Sequence, residues 1–113
     1  MKVFDHRDVE AVAAEEGASN LRIQWLITKD MGADNFAMRL FEMAPGGFSP
    51  LHEHPWEHEV YILEGEGVAV GMDGEKEFRE GTVVFVPAGE RHQFRNTGQG
   101  AVRFLCMIPY RKT

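Results

Sequence analysis

The sequence predicts an all-β fold, either a barrel or a sandwich, built as one domain over residues 1–113. Short apolar or alternating runs recur about every 8–12 residues, with Gly or Pro between them, which is typical of such folds. The 12 glycines of the chain supply residues for these turns, and no linker, repeat or low-complexity segment divides the chain. At this length we expect one hydrophobic core rather than two.

The expected strands follow an N-terminal arm, residues 1–20, whose Ala- and Glu-rich sequence suits a short helix or an irregular chain. The APGG sequence should end the second strand, and Asp73-Gly74 predicts a hairpin turn. GEG at 65–67 is interpreted as a tight turn, because no helix and no Lys-Ser/Thr pair follow it. The barrel should span 21–109, with strands at 21–28, 35–43, 58–64, 68–72, 75–80, 82–87, 92–96 and 101–108.

The composition argues against several classes of partner. Eighteen acidic and twelve basic residues give a net charge of −6, without the basic stripe that nucleic-acid binding usually requires. No apolar run approaches the roughly 18 residues that span a membrane, and the N-terminus lacks the apolar stretch of a secretory signal. We therefore expect a cytoplasmic protein. Cys106 is the single cysteine, which rules out an intramolecular disulfide and a Cys-rich zinc site.

Three of the five histidines lie within the seven residues HEHPWEH. His52 and His54 are two residues apart, so an extended segment points both side chains to the same face. His58 begins the next strand on a face that continues with apolar residues, and this face should form the interior. Glu57 and Glu59 fall on the opposite face and should be solvated.

The fourth candidate, His92, is in register with Phe94 on a later strand. A single histidine on an apolar face is most often a hydrogen-bonded core residue. Several imidazoles that converge on one interior, however, leave nitrogen lone pairs unsatisfied in a region of low dielectric. A divalent metal removes that cost, because each neutral imidazole donates a lone pair to it. The spacing therefore predicts a metal site rather than a structural cluster, whereas His6 is expected to be exposed.

Two segments of the chain resemble the two sequence signatures of the cupin family. The first, GGFSPLHEHPWEHEVYILEG, runs from Gly46 to Gly65, and the second, GTVVFVPAGERHQFRN, runs from Gly81 to Asn96. The resemblance implies a cupin barrel, also called a double-stranded β-helix or jelly roll. It further implies a small single-domain bacterial cupin of the cupin 2 conserved barrel type.

The chain departs from the usual cupin pattern at one ligand position. Where the family pattern has a glutamate, this sequence has His58, and Glu59 is one residue out of register. The resemblance therefore implies one divalent transition metal per chain, as in an all-histidine subgroup of bacterial cupins. Manganese is the metal associated with that subgroup, although Fe, Cu, Ni, Co and Zn also suit four nitrogen ligands. The four ligands are His52, His54, His58 and His92.

Four imidazoles would leave the +2 charge of the ion uncompensated by the protein. Such an ion is a stronger Lewis acid than one with a carboxylate ligand, and it favours anionic ligands or substrates. A six-coordinate ion would keep two positions open for a reaction.

Other side chains are expected to face the metal. Cys106 should lie inside the barrel, either as a small hydrophobe or as a catalytic candidate. Arg39 is a second catalytic candidate that we expect to point inward, where it could hold a substrate carboxylate. Trp56 and Phe48 should lie on loops, at the mouth of the cavity or against a second subunit. The residues expected to line the substrate are Val60, Ile62, Phe94 and Phe104.

The leading functional hypothesis is a metal-dependent oxidoreductase, most simply a dioxygenase-like enzyme, acting on a small organic substrate in the barrel. The resemblance supports it because many metal cupins are dioxygenases, and it also implies a homodimer. The alternative is a non-enzymatic module that binds a small ligand or a metal, and a third possibility is a structural zinc site. The lack of an evident proton shuttle counts against an isomerase.

Overall fold

The computed structural model describes residues 1–14 and 16–110, and within these ranges nearly all of the regular secondary structure is β-strand, as predicted. Two short 3-10 helices, His6–Asp8 and Lys29–Met31, precede the longest strand. No helix in these ranges is long and apolar enough to cross a membrane. The strands are β1 (Ala11–Ala13), β2 (Ser19–Ile27), β3 (Phe36–Phe48), β4 (His58–Glu64), β5 (Glu66–Gly71), β6 (Gly74–Arg79), β7 (Val83–Val86), β8 (Gln93–Asn96) and β9 (Val102–Pro109).

The strands form one curled antiparallel sheet, a half-barrel. Its order is β6-β5-β8-β3-β9-β4-β7, with β2 also paired to β3 and β1 paired to β2. The first part of β3 lies between β2 and β9, whereas Phe48 at its end pairs with Arg95 of β8. This long strand therefore connects the two halves of the sheet around a common interior.

The N-terminal arm contains a strand that the sequence analysis did not predict. Ala11–Ala13 pairs antiparallel with residues 22–24 of β2, so this part of the arm is neither a helix nor an irregular chain. Gln24 holds the arm in place, because its Nε2 donates to the backbone oxygens of His6 and Val9, at 2.7 Å each. Its Oε1 lies 3.1 Å from His6 Nδ1. His6 is accordingly half-buried rather than exposed.

Strand β3 continues through the APGG sequence, so the predicted end of this strand at Met43 was wrong. Gly46 has a φ of +79°. A Cβ at Gly47 would lie 2.8 Å from the carbonyl oxygen of Ala44, so the backbone passes very close to itself here. These glycines bend the strand instead of ending it. Phe48 is therefore the last residue of a strand and not part of a loop.

Two turns lie close to their predicted positions. Gly65 alone separates β4 from β5 and has a φ of +89°. In the next hairpin, Gly71 pairs with Gly74, so Met72 and Asp73 form the turn, one residue earlier than predicted.

Inward-facing residues of β2, β3, β4 and β9 form the hydrophobic core, with one residue each from β6, β7 and β8. The rings of Phe41 and Phe104 stack with centroids 4.9 Å apart and planes 4° from parallel. Buried Asn96 connects β8 to this core, because its Nδ2 donates to the backbone oxygens of Met43 and Gly100, at 3.1 and 2.9 Å. These hydrogen bonds hold β8, the strand that begins directly after His92, against the core.

Candidate functional site

The four histidines selected from the sequence lie together at one side of the interior. His58 is the first residue of β4, and His92 immediately precedes β8. His52 and His92 exchange two backbone hydrogen bonds, with N–O distances of 3.1 and 2.9 Å, and the amide of Gly89 donates to the oxygen of His54 at 2.7 Å. The segment of the second signature thus anchors the His-x-His segment of the first.

The four imidazole rings form a compact cluster. The ring centroid of His54 lies 4.2 Å from that of His52, 5.3 Å from that of His58 and 6.1 Å from that of His92. His92 lies 5.0 Å from His52 and 4.9 Å from His58. His58 and His92 are buried, while His52 and His54 are half-buried at the edge of the cavity.

A hydrogen bond determines which nitrogen of His92 keeps a lone pair. Its Nδ1 lies 2.8 Å from the backbone oxygen of Glu90. A carbonyl oxygen can only accept, so Nδ1 carries the hydrogen, and Nε2 of the neutral ring keeps its lone pair. Metal-binding histidines commonly donate their second nitrogen to a carbonyl in this way.

His58 has a partner on one nitrogen only. Its Nδ1 lies 3.3 Å from Sγ of Cys106, whereas its Nε2 is buried with no hydrogen-bond partner among the described residues. Burial, ahead of the charges of its neighbours, lowers the pKa of His58 to about 3. The same cause lowers the pKa of His52 to about 4. Both rings are therefore neutral at neutral pH, as metal ligands must be.

The donor chemistry of the cluster fits a divalent transition metal, but its nitrogens do not form a ready-made coordination set. Among residues 1–14 and 16–110, no group of three or more His, Cys, Asp or Glu side chains is placed to hold a metal ion. The buried Nε2 of His58 favours a metal, because an unsatisfied nitrogen in an apolar interior is costly.

The cluster faces a cavity of about 420 Å³ with a largely aromatic and aliphatic wall. Phe94 and Phe104, two of the four residues expected to line the substrate, line this cavity. Val60 and Ile62 instead lie in the hydrophobic core, 2% and 0% exposed, and do not belong to the described wall. Strand parity identified Val60 and Ile62 as inward-facing. It could not show that other side chains would cover them and separate them from the cavity.

Arg39 and Cys106 both point into the cavity. Nη2 of Arg39 donates to Sγ of Cys106 at 3.0 Å, so the sulfur contacts both the guanidinium and His58. Burial raises the pKa of the Cys106 thiol more strongly than the positive charge of Arg39 lowers it. Cys106 is therefore a neutral thiol at neutral pH, in contact with one member of the histidine cluster.

The cupin domain family matches this chain over residues 39–108, a range that contains both signatures in full. The chain is a cupin. The four histidines all lie within the matched range.

Comparison with individual proteins gives relatives of several kinds. This cupin is 38% identical to the polyketide cyclase RemF from Streptomyces resistomycificus, with a TM-score of 0.90 over 96% of this chain and 79% of that structure. It is 34% identical over 96 residues to an oxalate-binding protein from Thermotoga maritima, covering 81% of this chain and 78% of the relative. It is 38% identical over 71 residues to a 1-methylthio-D-xylulose 5-phosphate methylsulfurylase from Rhodospirillum rubrum, covering 63% of this chain and 46% of that relative. The chain thus spans about half the length of this last protein.

Three aromatic residues shape the cavity of this cupin, and of these only Trp56 was expected near it, at its mouth or against a second subunit. Trp56 stacks on His54, with centroids 4.4 Å apart and planes 6° from parallel, so it covers one ring of the cluster. Trp25 and Phe41 form another part of the wall, beside Arg39. No sequence signal placed Trp25 next to a charged group on β3.

Proposed function

We propose that this cupin binds one divalent transition metal through His52, His54, His58 and His92. The observation that carries the proposal is the buried Nε2 of His58, which lies without a described partner inside a cluster of imidazoles. Manganese remains the metal expected from the resemblance to all-histidine cupins, although four nitrogen ligands do not by themselves select it.

The protein would hold the ligands through contacts outside the metal shell. The carbonyl of Glu90 fixes the ring of His92, and Sγ of Cys106 lies against Nδ1 of His58. When bound, the ion would act as a Lewis acid that polarises a carbonyl or enol oxygen of the substrate. The surrounding aromatic wall would exclude water and hold an apolar substrate skeleton against the cluster.

We further propose that the chain is an enzyme acting on a small, largely apolar organic substrate that carries carbonyl groups. A cavity of about 420 Å³ lies within the size range of sites for drug-sized ligands. The best-supported reaction is a ring closure, because RemF, at 38% identity and a TM-score of 0.90, is a polyketide cyclase. Such a reaction forms one carbon–carbon bond, releases one water and needs no oxidant.

The dioxygenase-like oxidoreductase predicted from the sequence is the second candidate. Its support is the combination of uncharged imidazoles with an apolar cavity that O₂ can enter together with a substrate. The third is a binding module without catalysis, for which the similarity to an oxalate-binding protein is the support.

One experiment separates these candidates. Metal-free protein is loaded in turn with Mn, Fe and Zn and incubated with an aryl methyl triketone, while O₂ uptake and product mass are recorded. Ring closure predicts loss of one water from the substrate without O₂ uptake, in the zinc form as well as the others. Gain of oxygen atoms with O₂ uptake in the Mn or Fe form would instead establish the oxidoreductase. Metal binding without any conversion would contradict both enzymatic proposals for this substrate class.

We propose that two copies of this cupin pair through an outward-facing apolar surface on β4 and β7. Val83 is 73% and Phe85 55% exposed, and Tyr61, which pairs with Val83, is 42% exposed. Strand β7 is the end of the sheet order, and exposed apolar edges of this kind are usually covered.

Sedimentation tests the pairing. The wild type should sediment as a dimer, and the double variant Val83→Lys with Phe85→Lys should be a monomer. A Glu77→Lys change on the exposed face of β6 should leave the dimer intact. A monomeric wild type, or a double variant that is still a dimer, would contradict the proposed interface.

A further inference from the structure

The side chain of Arg39 lies against two aromatic rings in the wall of the cavity. Its guanidinium carbon is 5.4 Å from the centroid of Trp25 and 4.8 Å from that of Phe41. Both contacts favour this position of the guanidinium, because a planar cation is attracted to aromatic faces. The same cavity holds the histidine cluster.

Arg39 has no carboxylate partner in the described part of the chain. Its one hydrogen bond there is from Nη2 to Sγ of Cys106, a weak acceptor, and its Nε is buried without any partner. No Asp or Glu is among the described residues that line the cavity. A guanidinium held in an apolar wall without a counter-ion is costly, because its charge is only partly solvated.

We propose that Arg39 is the recognition site for a planar organic anion, an aromatic carboxylate or phenolate that enters the cavity. The hydrogens on Nη1 and Nη2 of the guanidinium form a planar fork that can bind a carboxylate with two parallel hydrogen bonds. Trp25 and Phe41 would pack against the aromatic ring that carries the anionic group. This inference refines the proposed function by naming the charge and shape of the substrate class.

A purely structural role for Arg39 leads to different behaviour. If the guanidinium served only to hold the Cys106 thiol beside His58, its replacement would alter the cavity for charged and uncharged ligands alike. If Arg39 recognises an anion, its replacement should weaken binding of the anion but not of a neutral ligand with the same shape. If Arg39 is only structural, both ligands should be affected equally.

The test uses metal-free protein, so that an anion cannot bind through the proposed metal. Naphthoate and its neutral counterpart naphthamide are titrated into the wild type, and binding is followed by calorimetry. The wild type should prefer naphthoate by about tenfold or more. Arg39→Gln should weaken naphthoate binding by about ten- to a hundredfold and leave naphthamide binding unchanged. Arg22→Gln, on the exposed face of β2, is the matched control and should bind like the wild type.

The wild-type preference is informative even if Arg39→Gln does not fold. Equal binding of naphthoate and naphthamide by the wild type, or no binding of either, would overturn the proposal. An equal loss of both ligands in a folded Arg39→Gln variant would overturn it as well. Because no metal is present, a failure here is distinguishable from a failure of the metal site, which is measured separately by metal content.

Discussion

The His52→Ala variant should lose the metal and all metal-dependent turnover while the protein stays folded. His52 supplies one of four proposed ligands, and removal of a ligand should lower metal affinity by more than the about ten- to hundredfold caused by outer-shell changes. Its ring is half-buried, and its backbone bonds to His92 do not depend on the side chain. We therefore expect the free energy of unfolding of the metal-free protein to change by less than about 1 kcal/mol.

Metal content by elemental analysis, together with urea unfolding of the metal-free form, checks this prediction. His6→Ala is the matched control, because His6 lies outside the cluster and contacts Gln24 of β2. It should keep the metal at wild-type stoichiometry. A His52→Ala protein that retains one metal per chain, or that keeps its turnover, would rule out His52 as a ligand.

Gly65→Ala is expected to destabilise the fold strongly, by about 3 kcal/mol or more. A Cβ at this position would lie 2.4 Å from the backbone oxygen of Ala101 and 2.9 Å from Cα of Val102. Both are backbone atoms that cannot move away as a flexible side chain can. The φ of +89° adds conformational strain, because residues with a Cβ rarely adopt it.

The Gly81→Ala variant separates the cost of the steric contact from the cost of the positive φ. Gly81 has nearly the same φ, +88°, but a Cβ there would have no neighbour within 4 Å. It should cost about 1 kcal/mol, the conformational part alone. Urea unfolding of both variants gives the comparison. Equal losses at the two positions would show that the close approach of Ala101 contributes nothing.

The sequence predicted the parts of this structure that depend on local pattern. Alternation along β4 and β9 correctly placed His58 and Cys106 inside, because strand parity acts over a few neighbouring residues. The proximity of His52 and His92, which are far apart in the chain, was instead implied by the resemblance to the two cupin signatures.

The parts that it did not predict depend on contacts between distant segments. The contact of Arg39 with Cys106 joins residues 67 positions apart, and the sequence around either residue does not indicate this contact. The N-terminal strand forms because Gln24 binds the backbone of the arm, which overrides the weak strand preference of an Ala- and Glu-rich segment. Gly46 and Gly47 were interpreted as the end of a strand, because glycine occurs both where a strand bends and where a strand ends.

The most direct test of the metal site is X-ray absorption spectroscopy on protein purified from metal-balanced medium. The account predicts one transition metal per chain with a nitrogen-rich first shell and the scattering pattern of four imidazoles. It predicts no sulfur ligand, since Cys106 contacts Nδ1 of His58 and would lie outside the metal shell. Absence of stoichiometric metal, or a shell with sulfur or fewer than three imidazoles, would contradict the four-histidine site.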